Sequence, residues 1–265
     1  MALRQTGLDH LTLLSESPPD LVTIAAEAGF TAVGLRISPA TDTERPWPMS
    51  PGSPMLAETR RRCAATGMAV LDVEAIRLGP RPADHRATLE VAAALGARYI
   101  NAICEDPDLG RLSDSFAGLT ARASGYGIRP LVEFMAYRSV RTLADAIAIA
   151  AASGGGGILI DALHVQRCGV SLASLSQADR GLFSYVQLCD APLAAPADEI
   201  REARGGRLLP GQGELPLAAL LAAVPGGIPV AVEAPAAGEM AAPGPYAARA
   251  RAALETVLDQ VKERS

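Results

Sequence analysis

The sequence predicts a single α/β domain over residues 1–265, a (β/α)8 barrel, and three observations carry that prediction. Short apolar or β-branched runs alternate with longer Ala-, Leu- and Arg-rich stretches of helical spacing, the pattern of a parallel sheet with covering helices. Eight such runs occur, at an even spacing that does not suit a doubly wound sheet with a second domain. The length of 265 residues is that of one barrel, since such barrels run to about 250 residues.

The strands are expected at 8–14 (LDHLTLL), 32–37, 69–76, 97–103, 129–135 (RPLVEFM), 157–163 (GILIDAL), 184–190 (SYVQLCD) and 229–235 (PVAVEAP). Helices are expected over 19–29, 54–67, 82–96, 111–127, 140–154, 215–224 and 245–263, several of them opening on Pro or Asp and stopping at Gly. The sixth connection, 164–183, shows the weakest helical pattern. The four glycines at 154–157 precede a strand instead of opening a helix, so they read as a turn and not as a phosphate cradle. Two Pro-, Gly- and Ser-rich segments, 38–54 with the only tryptophan, Trp47, and 234–246, follow the second and eighth strands. They fall on the carboxyl-end face and read either as a lid over a substrate or as ordinary surface loops.

Composition narrows the partners. Hydrophobic residues make up 49% and charged residues 20%, the balance of a globular domain, and with aromatics at 4% the aliphatic residues must fill the core. A net charge of −5 offers no field for a phosphate backbone, which excludes nucleic acid and favours a small-molecule substrate. Cys63, Cys104, Cys168 and Cys189 are dispersed without a CxxC pair and read as reduced core thiols. With no signal-peptide pattern and no run of about 18 apolar residues, no membrane partner and a cytoplasmic location are expected.

Strands buried on both faces should be nearly continuous apolar runs, and the last four are not. Glu133 interrupts LVEFM, Asp161 follows GILI, Gln187 interrupts YVQLCD and Glu233 interrupts VAVEAP, each near a strand's carboxyl end. Any one of these carboxylates alone is explained by an arginine partner or by capping the next helix. Three converging on one quadrant repel unless a cation lies between them. Three carboxylates with an amide oxygen make a hard site suited to Mn²⁺ or Mg²⁺ before Co²⁺ or Zn²⁺. Arg36, Glu74 and Asn101, near the ends of strands two to four, are read as lining a substrate pocket, and His10 and His85 as structural.

The order and spacing of LVEFM, IDALHVQRCG, VQLCDAP, RLLPGQGELPL and VAVEAP resemble the sugar phosphate isomerases and epimerases of the xylose isomerase-like barrels. The resemblance implies metal ligation by Glu133, Asp161 and Glu233, proton transfer by the two glutamates, and substrate contacts from His164 and Arg207. It also implies a homodimer. By the residues alone the same roles are favoured with less force, the alternatives being a loop hydrogen-bonding group for His164 and, for Arg207, part of a solvated face with Arg201 and Arg204. Where the family commonly has His on the seventh strand this chain has Gln187, a weaker ligand, three residues before the shared Asp190.

The expected activity is metal-dependent isomerisation or epimerisation of a sugar, ketose or polyol-derived ketone, one glutamate removing a proton to form an enediolate and the other returning it. Alternatives are a dehydratase acting through the same intermediate and a barrel that binds a sugar without turning it over. A multi-zinc endonuclease would need many histidines and a basic groove, and the chain has three histidines.

Overall fold

The computed structural model describes residues 4–42, 44–235 and 242–263. Eight parallel strands close into a barrel in chain order: β1 (Thr6–Asp9), β2 (Ala32–Arg36), β3 (Ala69–Leu78), β4 (Tyr99–Cys104), β5 (Arg129–Glu133), β6 (Gly157–Asp161), β7 (Phe183–Leu188) and β8 (Val230–Val232), with β1 paired to β8. Around them run α1 (Pro18–Glu27), α2 (Pro54–Thr66), α3 (Arg86–Leu95), α4 (Leu109–Ser124), α5 (Leu143–Ala152), α6 (Ala162–Arg167), α7 (Leu172–Gln177), α8 (Glu199–Gly205), α9 (Leu217–Ala223) and α10 (Pro243–Glu263). The sequence dictates most of these ends. Ser17 and Ser53 accept hydrogen bonds from the first-turn amides of α1 and α2, each with Pro at the first turn, and α2 stops at Gly67, whose φ of 70° suits a residue without Cβ.

Three expectations need correction. The run 8–14 is a strand only as far as Asp9; His10–Leu13 form a 3-10 turn, tied to the last strand by Thr12, whose hydroxyl donates to the Val232 carbonyl and accepts from the Ala234 amide. A short apolar run does not distinguish these states, and a side-chain tether decides here. The sixth connection holds two short helices, α6 and α7, and α6 begins directly after β6 because the Asp161 carboxylate accepts from the Leu163 and His164 amides. Helix α8, capped by Asp198, was not anticipated, since seven residues carry too little periodicity to register.

Two apolar layers hold the barrel. Ala32, Leu71, Leu131, Leu159, Tyr185 and Ala231 pack on one another inside the lumen, while alternate residues such as Val132, Ile158, Ile160 and Val186 face the helices. The four glycines form the turn into β6, as expected. The cysteines are free, with Cys104 and Cys189 buried. Among the described residues, no helix is long and apolar enough to cross a membrane. In the 38–54 segment, Trp47 stacks near His10 and carries the Arg45 guanidinium on its face; of 234–246, residues 236–241 lie outside the described residues.

Candidate active site

Alternation along the strands turns a set of polar side chains into the lumen above the apolar layer. Register pairs Arg36 with Glu74 across β2 and β3, and Asp161 with Gln187 across β6 and β7. Arg36, Glu74, Asn101, His164 and Arg207, together with Glu133 and Glu233, line a small cavity of about 70 Å³ at the carboxyl end. Asp161 and Gln187 sit just behind it, at 0% and 1% exposure.

The four residues expected to share an ion fall into two connected halves. Glu133, Asp161 and His164 each offer an atom within 4.8 Å of the others', and Glu233 does the same with Asp9 and Glu74. Arg207 joins the halves: its Nη1 donates to Asp161 Oδ2 at 2.5 Å and its Nη2 lies 3.1 Å from Glu233 Oε2. Gln187 turns its amide nitrogen inward, donating to Asp9 Oδ2 at 2.8 Å and Glu233 Oε1 at 3.3 Å. Glu133 is different. Its nearest polar partner is His164 Nε2 at 3.6 Å, too far for a hydrogen bond, so its carboxyl faces the cavity without a donor.

The charges do not balance. Glu74, Glu133, Asp161 and Glu233 around the mouth, with Asp9 and Asp72 beneath them, stand against the buried guanidiniums of Arg36 and Arg207. Arg36 is moreover shared between Glu74 at 2.5 Å and Glu44 at 3.0 Å. Burial, and then repulsion from Asp161 and Glu233, pushes the Glu133 carboxyl well above its ordinary range. Burial likewise raises Glu233 to about 8, with Arg207 opposing and Glu74 and Asp161 adding to the rise. Asp161 alone goes down: burial would raise it, but Arg207, His164 and two backbone amides outweigh that cost. His164 is buried and neutral, its pKa lowered to about 4 by desolvation, with its edge against the Tyr137 ring.

Beneath the mouth lies a second polar layer. Asn101 donates from Nδ2 to Asp72 Oδ2 and to the Tyr185 hydroxyl, both at 2.9 Å. The outer oxygens of Asp9 and Asp72 lack donors, and both point at Gly34, where a Cβ would come within 2.3 and 2.4 Å of them. Only a glycine leaves room for these two carboxyls. Burial raises both, and each repels its acidic neighbours.

The loop that delivers Arg207 is fixed from outside. Asp190 accepts from the Gly211 and Leu215 amides, each at 2.9 Å, and pairs through its backbone with Leu208. Arg167 grips Glu202 of α8 with two hydrogen bonds, and Arg207 Nε donates to the Ala203 carbonyl at the end of the same helix. One bidentate ion pair and one main-chain acceptor thus aim the Arg207 guanidinium.

Neither His10 nor His85 lines the cavity at the barrel mouth. His85 sits just before α3. His10 is buried, its Nδ1 accepting from the Arg36 amide at 3.0 Å and its Nε2 facing the Glu16 carbonyl at 2.8 Å, a pairing that fixes the neutral Nε2–H tautomer. Burial lowers its pKa from 6.5 to about 4. A depressed histidine contributes stability that is present above pH 6.5 and lost as pH falls toward 4, on the order of 3 kcal/mol. The raised carboxyls of Asp9, Asp72, Glu133 and Glu233 act in the opposite sense, so the reading is a difference: in urea unfolding at pH 7 and pH 4 the His10→Gln variant should lose less stability, or gain more, than the parent by on the order of 3 kcal/mol. An unchanged pH slope in that variant excludes the assignment.

Asp9 and Asp72 were missed by sequence reasoning. Both break buried strands by the rule that found Glu133, but reading β1 as 8–14 put Asp9 at its beginning, and β3 was credited only with Glu74.

A search of curated proteins finds no match. The sequence profile described as xylose isomerase-like TIM barrel matches residues 22–259. Among solved structures, a xylose isomerase-like TIM barrel/4-hydroxyphenylpyruvate dioxygenase fusion protein is similar with a TM-score of 0.81 and 22% identity, over 99% of this chain but 44% of that one, so the chain spans less than half of that relative. The IOLI protein with a bound zinc atom is similar with a TM-score of 0.77 and 20% identity, over 98% of both chains. L-ribulose 3-epimerase has a TM-score of 0.72 and 15% identity, over 99% of this chain and 97% of its own. At these identities the structures share the fold. The profile match spans nearly the whole chain, and on that ground the chain belongs to the xylose isomerase-like TIM-barrel family.

Proposed function

We propose that this barrel isomerises or epimerises a small keto sugar or polyol-derived ketone, with Glu133 and Glu233 moving the proton. The observation that carries the reading is Glu133: a half-buried carboxyl with a raised pKa that faces the cavity with no hydrogen-bond donor. Such a carboxyl is open to a proton on bound substrate, and once ionised its raised pKa makes it a stronger base than a free carboxylate. Glu233 lines the same cavity, and its pKa of about 8 suits it to return a proton. Arg207 and His164 line the cavity beside the two glutamates, placed to hold substrate oxygens; the neutral imidazole of His164 serves there without adding charge.

The residues fit a hard divalent ion, because six acidic groups outnumber two guanidiniums and the Glu133–Asp161–His164 group already lies within coordinating reach. Glu133, Asp161 and Glu233 would hold it, and Mn²⁺ or Mg²⁺ suits that oxygen-rich set best. Gln187 would join through its oxygen, which has no donor, only when its amide is turned. When bound, the ion supplies positive charge that stabilises an enediolate of the substrate. The zinc carried by the IOLI protein and the sugar named for L-ribulose 3-epimerase support an ion and a sugar-like substrate.

A second reading, ligand binding without turnover, is favoured by the internal donors already on both Glu233 oxygens. Proton NMR in D₂O separates the two. Incubation with ketohexoses, ketopentoses or inososes, with each of Mn²⁺, Mg²⁺, Co²⁺ and Zn²⁺ or with chelator, should show deuterium entering beside the carbonyl in the presence of at least one ion. Ligand binding with neither exchange nor product under any ion selects the second reading.

A further inference from the structure

We propose that the protein has a second small-molecule site outside the barrel mouth, built for a phosphate-bearing ligand. It is the cavity of about 310 Å³ between the loop following β3 and one face of α4, and it is larger than the one at the mouth. Arg77, Arg81 and His85 line it from the loop, and Arg111 and Arg122 from the helix. Residues 111, 115, 118 and 122 recur at helical spacing, so one side of α4 faces the cavity, and Gly118 leaves the middle of that side open.

The charge is concentrated against the trend of the chain. Acidic residues outnumber basic ones overall, 29 to 24, yet four arginines and a histidine line this cavity with Asp114 as the single acid. Arg77 is shared with Glu105 and Asp42, and Arg111 with Asp106 and Asp108. Among the described residues, Arg81 and Arg122 form no ion pair, and His85 lies close enough to Arg122 for that charge to add to the depression of its pKa by burial. Planar guanidiniums in excess match a tetrahedral dianion with several acceptor oxygens better than a single carboxylate. The volume is that of a small-molecule site, near the lower end of about 300–1,000 Å³. A cavity on a chain of net charge −5 lacks the long basic track that a nucleic-acid backbone needs, which favours a free phosphorylated compound.

The site is wired to the mouth. Glu105 takes Arg77 Nε on one oxygen at 2.9 Å and Arg138 Nη1 on the other at 2.8 Å, and Arg138 lines the active-site cavity. An anion drawing Arg77 away from Glu105 therefore alters the partner of Arg138.

The test is calorimetric titration of the full chain with pyrophosphate at low salt. Saturable binding is expected, weakened at least about tenfold in Arg81→Glu/Arg122→Glu, a change of charge sign at two guanidinium contacts. Both side chains are exposed, so the variant should keep its melting temperature. Arg60→Glu, an exposed arginine on α2, and Arg204→Glu, at the barrel mouth, should bind pyrophosphate as the parent does. No saturation overturns the proposal. So does loss in Arg204→Glu in place of the double variant, which would move the anion to the mouth, and so does a short DNA duplex that binds where pyrophosphate does not.

Discussion

Glu133→Gln should lower kcat by about 10²- to 10⁴-fold, the usual contribution of a positioned proton-transfer group, and leave the fold intact. The second half of that expectation sets it apart from an ordinary active-site lesion. Glu133 has no hydrogen-bonded arginine to strand, and its raised pKa means that ionisation works against folding as pH rises. The sign follows: an acid whose folded pKa lies above its unfolded value favours the native state at low pH, and that advantage is lost as pH rises through the folded value. A neutral isostere removes the loss, so the variant should melt no lower than the parent at pH 8. Steady-state rates and melting curves on the same sample decide it. Retained turnover removes Glu133 from the chemistry; a sharp fall in melting temperature shows a structural role instead.

Arg207→Met should do the reverse, damaging stability most. Arg207 is 3% exposed and is the hydrogen-bonded cation of Asp161 and Glu233. Removing one partner of a buried pair costs about 3–5 kcal/mol, on the order of 10 °C in a domain of this size. Two carboxylates left without their guanidinium are a stronger attractor for a divalent ion. Added Mn²⁺ should therefore raise the melting temperature of the variant by more degrees than that of the parent. Differential scanning calorimetry with Mn²⁺ and with EDTA reads both effects. A loss below about 1 kcal/mol would mean that Asp161 and Glu233 are neutralised by something other than Arg207.

Most of the barrel was legible because a parallel sheet writes itself twice, once as apolar runs and once as the helical spacing between them. Strand ends were less so. Asp9 closes β1 and His10 leaves it, but the Leu-rich run LDHLTLL carries no breaker to mark that point, and what bends the chain is a hydroxyl contact between Thr12 and β8, more than two hundred residues away. In the site, Glu133, Asp161, Glu233, Arg36, Glu74, Asn101, His164 and Arg207 were all visible as polar interruptions or motif residues. Their pairing was not. Sequence position places Asp161, Gln187 and Glu233 in one region, yet whether an amide, a guanidinium or an ion sits between them depends on rotamers set by the whole lumen. Gln187 presenting nitrogen to Asp9 depends on an aspartate whose strand end was misread.

The lumen is stoppered from below by Leu131, Leu159 and Tyr185, all fully buried, so it resembles a flask with a single neck. On the proposed function, solvent and substrate would then use the same opening, and a seated product would cork the flask against isotope from solvent. The ratio of deuterium incorporated to sugar converted therefore times how often the neck clears during one catalytic cycle.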